Sequence, residues 1–334
     1  MKNNTNILTG FNDLDAAIGG FKRGDLIVLA SRPSQGKTAL ALNIVYNVAV
    51  RRGFPVALFS LETDGIFLLK RMACAAAKVD IRRIGIDMFK KEQGKAINSE
   101  LEKIGKSNLF ICDKPSLSVK EIKNYIEKLI KQDKKPELIV IDYFDLIKRG
   151  KKQDIVVNMR TLKEIAVKFD VSVLVCSQMC RQNKGEHNRP ELSHLRYPQF
   201  ADIADLILLL HREYYYTKDE SQKNTAEILI ETPVQKEIGL KWSPKYCSFR
   251  NIEEPMCKKE IEGILRKHWH PTRHLDRQRY NLEILEELKN FLKQHPDIRF
   301  IQSLWALNIV DKEDRFYEEP ELTLAKIKES KIHK

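Results

Sequence analysis

Ser31-Arg32-Pro33-Ser34-Gln35-Gly36-Lys37-Thr38 ends in the Gly-Lys-Thr of a phosphate-binding loop, between an apolar run and a helical pattern. In that context backbone N–H groups and a helix N-terminus face nucleotide phosphates. Lys37 then reaches the β and γ oxygens and the Thr38 hydroxyl ligates Mg²⁺. The first position of the pattern is ordinarily Gly and is Ser31 here. Such a loop works with a metal-organising acid. Asp142, closing the apolar run Leu138-Ile139-Val140-Ile141, is the candidate, with a simple capping carboxylate as the alternative. Hydrolysis also needs a group to take a proton from water. Glu62, ending Phe59-Ser60-Leu61-Glu62, is the candidate base, against a solvated loop glutamate. Gln178, ending the strand from Val173, carries an amide suited to sensing a γ-phosphate, against a plain loop amide.

These residues need strands that end together. Short apolar runs recur at Leu26–Ala30, Val56–Phe59, Leu109–Cys112, Leu138–Ile141, Val173–Cys176 and Leu206–Leu210. Their apolarity is continuous, not alternating, which means both faces are covered. Helical patterns lie between them at Thr38–Val50, Ile66–Ala77, Ser118–Lys131 and Met159–Phe169, the third opened by the capping-box spacing Ser118/Glu121. The alternation predicts an α/β fold, a mostly parallel twisted sheet with helices on both faces. Ala226–Glu231 and Ile238–Phe249 read as strands of an antiparallel extension. Beyond it, residues 251–280 are expected to form a basic linker and 281–334 a small helical appendage, with Leu282, Leu285, Leu288 and Leu292 on one helix face.

Composition bounds the rest. The 334 residues carry 58 Lys or Arg against 46 Asp or Glu, and the excess falls before residue 251. A localised basic excess favours polyanionic partners. No apolar run approaches the roughly 20 residues of a membrane span. The N-terminus lacks the order of a signal peptide, so a cytoplasmic location without a membrane partner is expected. Six scattered cysteines fit reduced thiols. Cys247, Cys257, His268 and His270 match none of the usual zinc spacings.

Taken together, Thr9-Gly10-Phe11-Asn12-Asp13-Leu14-Asp15, the loop with Arg32-Pro33-Ser34, Phe59-Ser60-Leu61-Glu62, Ile141-Asp142-Tyr143 and Ser177-Gln178-Met179-Cys180-Arg181 resemble, in order and spacing, the motor domain of DnaB-type replicative helicases. Arg189-Pro190, Ala204-Asp205-Leu206-Ile207 and Ala226-Glu227-Ile228 extend the likeness to about Phe249. RecA-like recombinases and circadian-clock ATPases share the loop and the acid. The resemblance implies a RecA-like P-loop NTPase fold and ATP with Mg²⁺ as cofactors. It further implies hydrolysis between subunits of a hexameric ring, single-stranded DNA in the central channel, and a loader or primase as a partner in trans. A stripped-down phage or plasmid version is expected, since the sequence starts at the motor and the family's N-terminal primase-contacting domain and latching linker helix are expected to be missing.

By the same resemblance Arg181, Lys184, Arg189 and Arg196 are the expected DNA contacts. Two motifs differ. Leu195-Arg196-Tyr197-Pro198-Gln199 stands where the family has Leu-Arg-Glu-Ser-Gly, and Thr232-Pro233-Val234 where it has a cationic Lys-x-Arg finger. If the strand continues, the next same-face cation is Lys236, about 6.6 Å on at roughly 3.3 Å per residue. Lys236 is therefore the candidate finger, with Arg212 or Lys241 as substitutes. Weak turnover is expected, and an ATP-regulated DNA-binding or assembly protein is the rival reading. Tyr214-Tyr215-Tyr216 suits base stacking or loop packing.

Overall fold

The computed structural model describes residues 6–83, 91–148, 155–180 and 189–252. Among them nine strands form one sheet: β1 (Leu26–Ser31), β2 (Val56–Ser60), β3 (Leu109–Cys112), β4 (Leu138–Asp142), β5 (Ser172–Gln178), β6 (Leu206–His211), β7 (Thr225–Thr232), β8 (Lys236–Ser243) and β9 (Ser248–Asn251). Their order is β3-β2-β4-β5-β1-β6-β7-β8-β9. Pairing is parallel from β3 to β6 and antiparallel from β6 to β9.

Continuous apolarity has the expected cause. Every residue of β1, β2, β4 and β6 is buried. Side chains alternate along a strand, so one run feeds two cores. Ile27 and Leu29 join the cluster packed on α1 (Asn12–Ile18), α2 (Lys37–Tyr46), α3 (Gly65–Ala76) and α4 (Lys91–Gly105). Leu26, Val28 and Ala30 join the cluster packed on α5 (Val119–Lys131) and α6 (Ile155–Phe169). The capping box forms: the Ser118 hydroxyl accepts from the Glu121 N–H and the Glu121 carboxylate from the Ser118 N–H. α2 runs on into a π turn, Asn47–Arg51. α4 carries no expectation from sequence, because among its Lys and Glu residues it buries just Ile97 and Ile104.

β1 lies between β5 and β6, while the chain leaving it through α2 returns as β2 beyond β4. Crossovers therefore diverge at the carboxyl end of β1, where open α/β sheets bind ligands. The chain divides between Ile252 and Glu253. The expected appendage 281–334 and all but Asn251 and Ile252 of the expected linker lie outside the described residues.

Candidate active site

Ser31 closes β1 in register with Gln178 on β5 and Leu210 on β6. The chain then turns through Ser34 (φ 63°) and Gly36 (φ 101°) into α2. Gly36 is required twice over: its backbone is left-handed, and a Cβ there would sit 2.9 Å from the Phe249 ring. Phe249 and Trp242 pack at 4.5 Å against the Gly36 position of the loop. Among the described residues no side chain caps α2. Its first N–H groups thus have no side-chain acceptor at the end where a helix favours anions.

The loop is clamped from β6. The Gln35 side chain is buried and its Oε1 accepts from the Arg212 N–H at 2.7 Å. The Arg212 guanidinium donates to the Ser34 carbonyl at 2.5 Å and stacks over Trp242 at 4.4 Å. Burial lowers the Arg212 pKa, so stacking and hydrogen bonding must hold its charge in place. Arg212 thus serves its own loop.

Asp142 ends β4 opposite Ser60 and is 5% exposed. Among the described residues its Oδ1 has no hydrogen-bond partner. The Cys176 thiol bonds to the Asp142 carboxylate, and its pKa is pushed up by burial first and that carboxylate second. A buried carboxylate oxygen without a donor is costly unless a cation joins it. Thr38 and Asp142 therefore suit a hard divalent ion that takes its other oxygens from phosphates and water.

Lys37 Nζ lies over the Tyr143 ring at 4.7 Å. The Tyr143 hydroxyl is pushed up by burial first and by the charges of Glu62 and Asp145 after it. Glu62 is exposed and lies two residues past the end of β2, in the turn leading to α3. A cleft of ≈ 330 Å³ gathers Ser31, Arg32, Pro33, Ser34, Gly36, Lys37, Thr38, Glu62 and Gln178. That volume is within the roughly 300–1,000 Å³ of small-ligand sites. Gln35 and Asp142 are buried and do not line it.

The expected DNA contacts divide. Arg181 and Lys184 lie outside the described residues. Arg189 pairs with Glu227 at 3.0 Å and Glu237 at 2.5 Å, and Arg196 with Asp145 at 3.1 Å. Tyr216 stacks on His211 at 5.9 Å while Tyr215 is exposed.

Lys236 does not lie where continued alternation along β7 places it. β7 ends at Thr232, and Lys236 opens the returning strand β8 opposite Ile230. Pro233 has no N–H for the ladder, so the strand stops and the chain turns. Lys236 is exposed at the base of that turn, not further along the same face.

The sequence assigns no loop-bracing role to Arg212, Trp242 or Tyr143. Their contacts join β6, β8 and the end of β4 to a loop remote in sequence, and no local spacing encodes them. The triple Tyr and nearby Arg212 are visible in the sequence, but not the direction in which they pack.

Residues 6–251 match the family described as DnaB-like helicase C terminal domain. The replicative DNA helicase DnaB of Geobacillus stearothermophilus is 34% identical over 268 residues, covering 77% of this chain and 59% of that protein. The replicative DNA helicase DnaC of Bacillus subtilis (strain 168) is 35% identical over 260 residues, covering 75% of this chain and 57% of that protein. This chain thus spans little more than half the length of those relatives. Among solved structures, one described as an ATPase domain superposes with a TM-score of 0.70 at 31% identity, covering 75% of this chain and 93% of that one.

Proposed function

The chain belongs to the DnaB-like helicase C-terminal domain family, and on that premise we propose that it is an ATP-hydrolysing motor that moves on single-stranded DNA. The observation that carries this reading is the meeting of Lys37, Thr38, Glu62 and Gln178 in one cleft, lined also by Tyr143, the residue that follows the buried Asp142.

In this reading the α2 N-terminus and Lys37 hold the phosphates by charge-assisted hydrogen bonds. Thr38 and Asp142 would hold Mg²⁺, which would supply charge neutralisation to the phosphates. Glu62 takes the proton of the attacking water, and Gln178 orients toward the γ-phosphate. Arg212 and Gln35 keep the loop amides aimed throughout, so they are positioning residues. Arg181, Lys184, Arg189 and Arg196 remain the proposed DNA contacts. A homo-oligomeric ring, a loader or primase in trans, and a phage or plasmid setting complete the proposal. The solved structure of a DnaB-like replicative helicase and its interactions with primase, at 31% identity and TM-score 0.70, supports the choice of primase.

One observation favours a second reading, an ATP-regulated DNA clamp or assembly protein. Thr232 and Val234 carry no charge, and Lys236 is the cation of the β7–β8 turn. A neighbour's γ-phosphate would then lack the cation that speeds transfer. Strand displacement on a forked DNA duplex separates the two. The motor reading expects displacement that requires ATP and disappears in Lys37→Ala; DNA binding with no displacement at any ATP concentration supports the clamp.

A further inference from the structure

Asp145 stands between the cleft and the Arg196 loop. It lies in the short 3-10 turn Phe144–Leu146 directly after β4. Its side chain is 7% exposed, and two groups from different segments share it. The Gln178 N–H donates to Oδ2 at 3.3 Å, and Arg196 Nη1 lies 3.1 Å from Oδ1. The first contact is long, and the second is an ion pair without an aligned N–H donor. Arg196 keeps half its side-chain surface in solvent.

The surroundings are stiff. Met179 bridges Leu195 in antiparallel fashion, and the Cys180 N–H donates to the His194 carbonyl at 3.0 Å. Phe144, Tyr197 and Phe200 pack edge to face, with centroids 5.0–6.2 Å apart. The residues before and after Asp145 and Arg196 are thus held, while the carboxylate itself divides its charge between the two sides. A carboxylate so placed has a definite response to competition. If an anion takes the exposed side of the Arg196 guanidinium, Asp145 loses part of its compensation and leans on its remaining donor, the Gln178 N–H.

We propose that Asp145 is a positioning residue that transmits phosphate binding at Arg196 to Gln178 in the nucleotide cleft. The ligand at Arg196 is a nucleic-acid phosphate, and the inference rests in that respect on the motor reading above. Phosphate on Arg196 shortens the Asp145–Gln178 contact, fixes the end of β5, and tightens the hold of Gln178 on a triphosphate. The link is reciprocal: a triphosphate that fixes Gln178 raises the affinity for DNA by the same factor.

The test uses the full chain, oligo-dT and the β,γ-imido analogue of ATP with Mg²⁺. In the wild type, saturating oligo-dT is expected to tighten analogue binding by about fivefold or more. Asp145→Asn keeps an oxygen for the Gln178 N–H and removes the charge that holds Arg196. It is expected to bind oligo-dT about two- to fivefold more tightly, the scale of a partly exposed ion pair, while the effect of oligo-dT on the analogue falls below about twofold. A variant that had merely lost structure would bind both oligo-dT and the analogue more weakly, so the analogue alone reports whether Asp145→Asn is folded. Arg196→Gln approaches from the other side: weaker oligo-dT binding with the same loss of coupling. Coupling retained in either variant overturns the link, as does Asp145→Asn with unchanged or weaker oligo-dT binding. Wild-type oligo-dT binding without coupling overturns the link alone; no oligo-dT binding at all overturns the motor reading and the link with it.

Discussion

Lys37 opens α2 with its ammonium over the Tyr143 ring, on the wall of the cleft, where a phosphate would meet it. Replacing it with Ala removes a charge-assisted contact worth about 1.5–3 kcal/mol, or roughly tenfold to a hundredfold in the Kd for Mg²⁺·ATP. Isothermal titration of Lys37→Ala checks this, and affinity equal to the wild type would refute the phosphate-loop assignment. Glu62 differs in kind. It is exposed on a turn, so Glu62→Gln should leave nucleotide affinity unchanged and lower turnover by about 10²–10⁴-fold. Parallel loss of both would assign Glu62 to holding the site together. At this scale much was legible, because Gly-Lys-Thr and the strand-end carboxylate are local patterns. The roles of Asp145 and Arg212 were not, since they come from partners 33 and 177 positions away.

Elements were readable where one physical signal dominated. Five of the parallel strands stand out because both faces are buried, β3 because its four residues are apolar though only partly covered, and α5 because Ser118 and Glu121 cap it. α4 is poorly marked in the sequence because few of its residues are buried, and alternation along β7 does not continue past Pro233, where the chain turns back into β8. The β7–β8 turn now carries its own prediction. Thr232 and Val234 offer no cation, so wild-type turnover should be low for a ring ATPase, and Val234→Arg should raise it toward the roughly 10³–10⁵-fold that a trans arginine can supply. Lys236→Ala should lower what remains. Steady-state rates at saturating DNA decide the matter; if neither variant changes the rate, the turn does not reach a neighbour's site. Gly36→Ala tests the loop in the same way. Left-handed backbone costs about 1–2 kcal/mol for a residue with a Cβ, and the Phe249 ring adds a clash, so the denaturation midpoint should fall.

The whole chain carries 58 basic against 46 acidic residues, and the excess lies in the part that folds into the sheet. Single-stranded DNA should therefore bind with an affinity that falls steeply with salt, by counterion release. Arg189 and Arg196 are already paired with carboxylates, so each must trade a protein partner for a phosphate, which makes their share of the salt dependence smaller than their charge suggests. Affinity flat between low and physiological salt would remove DNA as the track. No helix among the described residues is long and apolar enough to cross a membrane. The motor reading stands on this cleft coupling ATP hydrolysis to work on DNA, and steady-state ATP hydrolysis by the full chain, with and without oligo-dT, is the measurement that decides it. The expected result is a slow Mg²⁺-dependent rate that oligo-dT increases and that both Lys37→Ala and Glu62→Gln abolish; a rate that oligo-dT leaves unchanged, or that survives in Lys37→Ala, would contradict it.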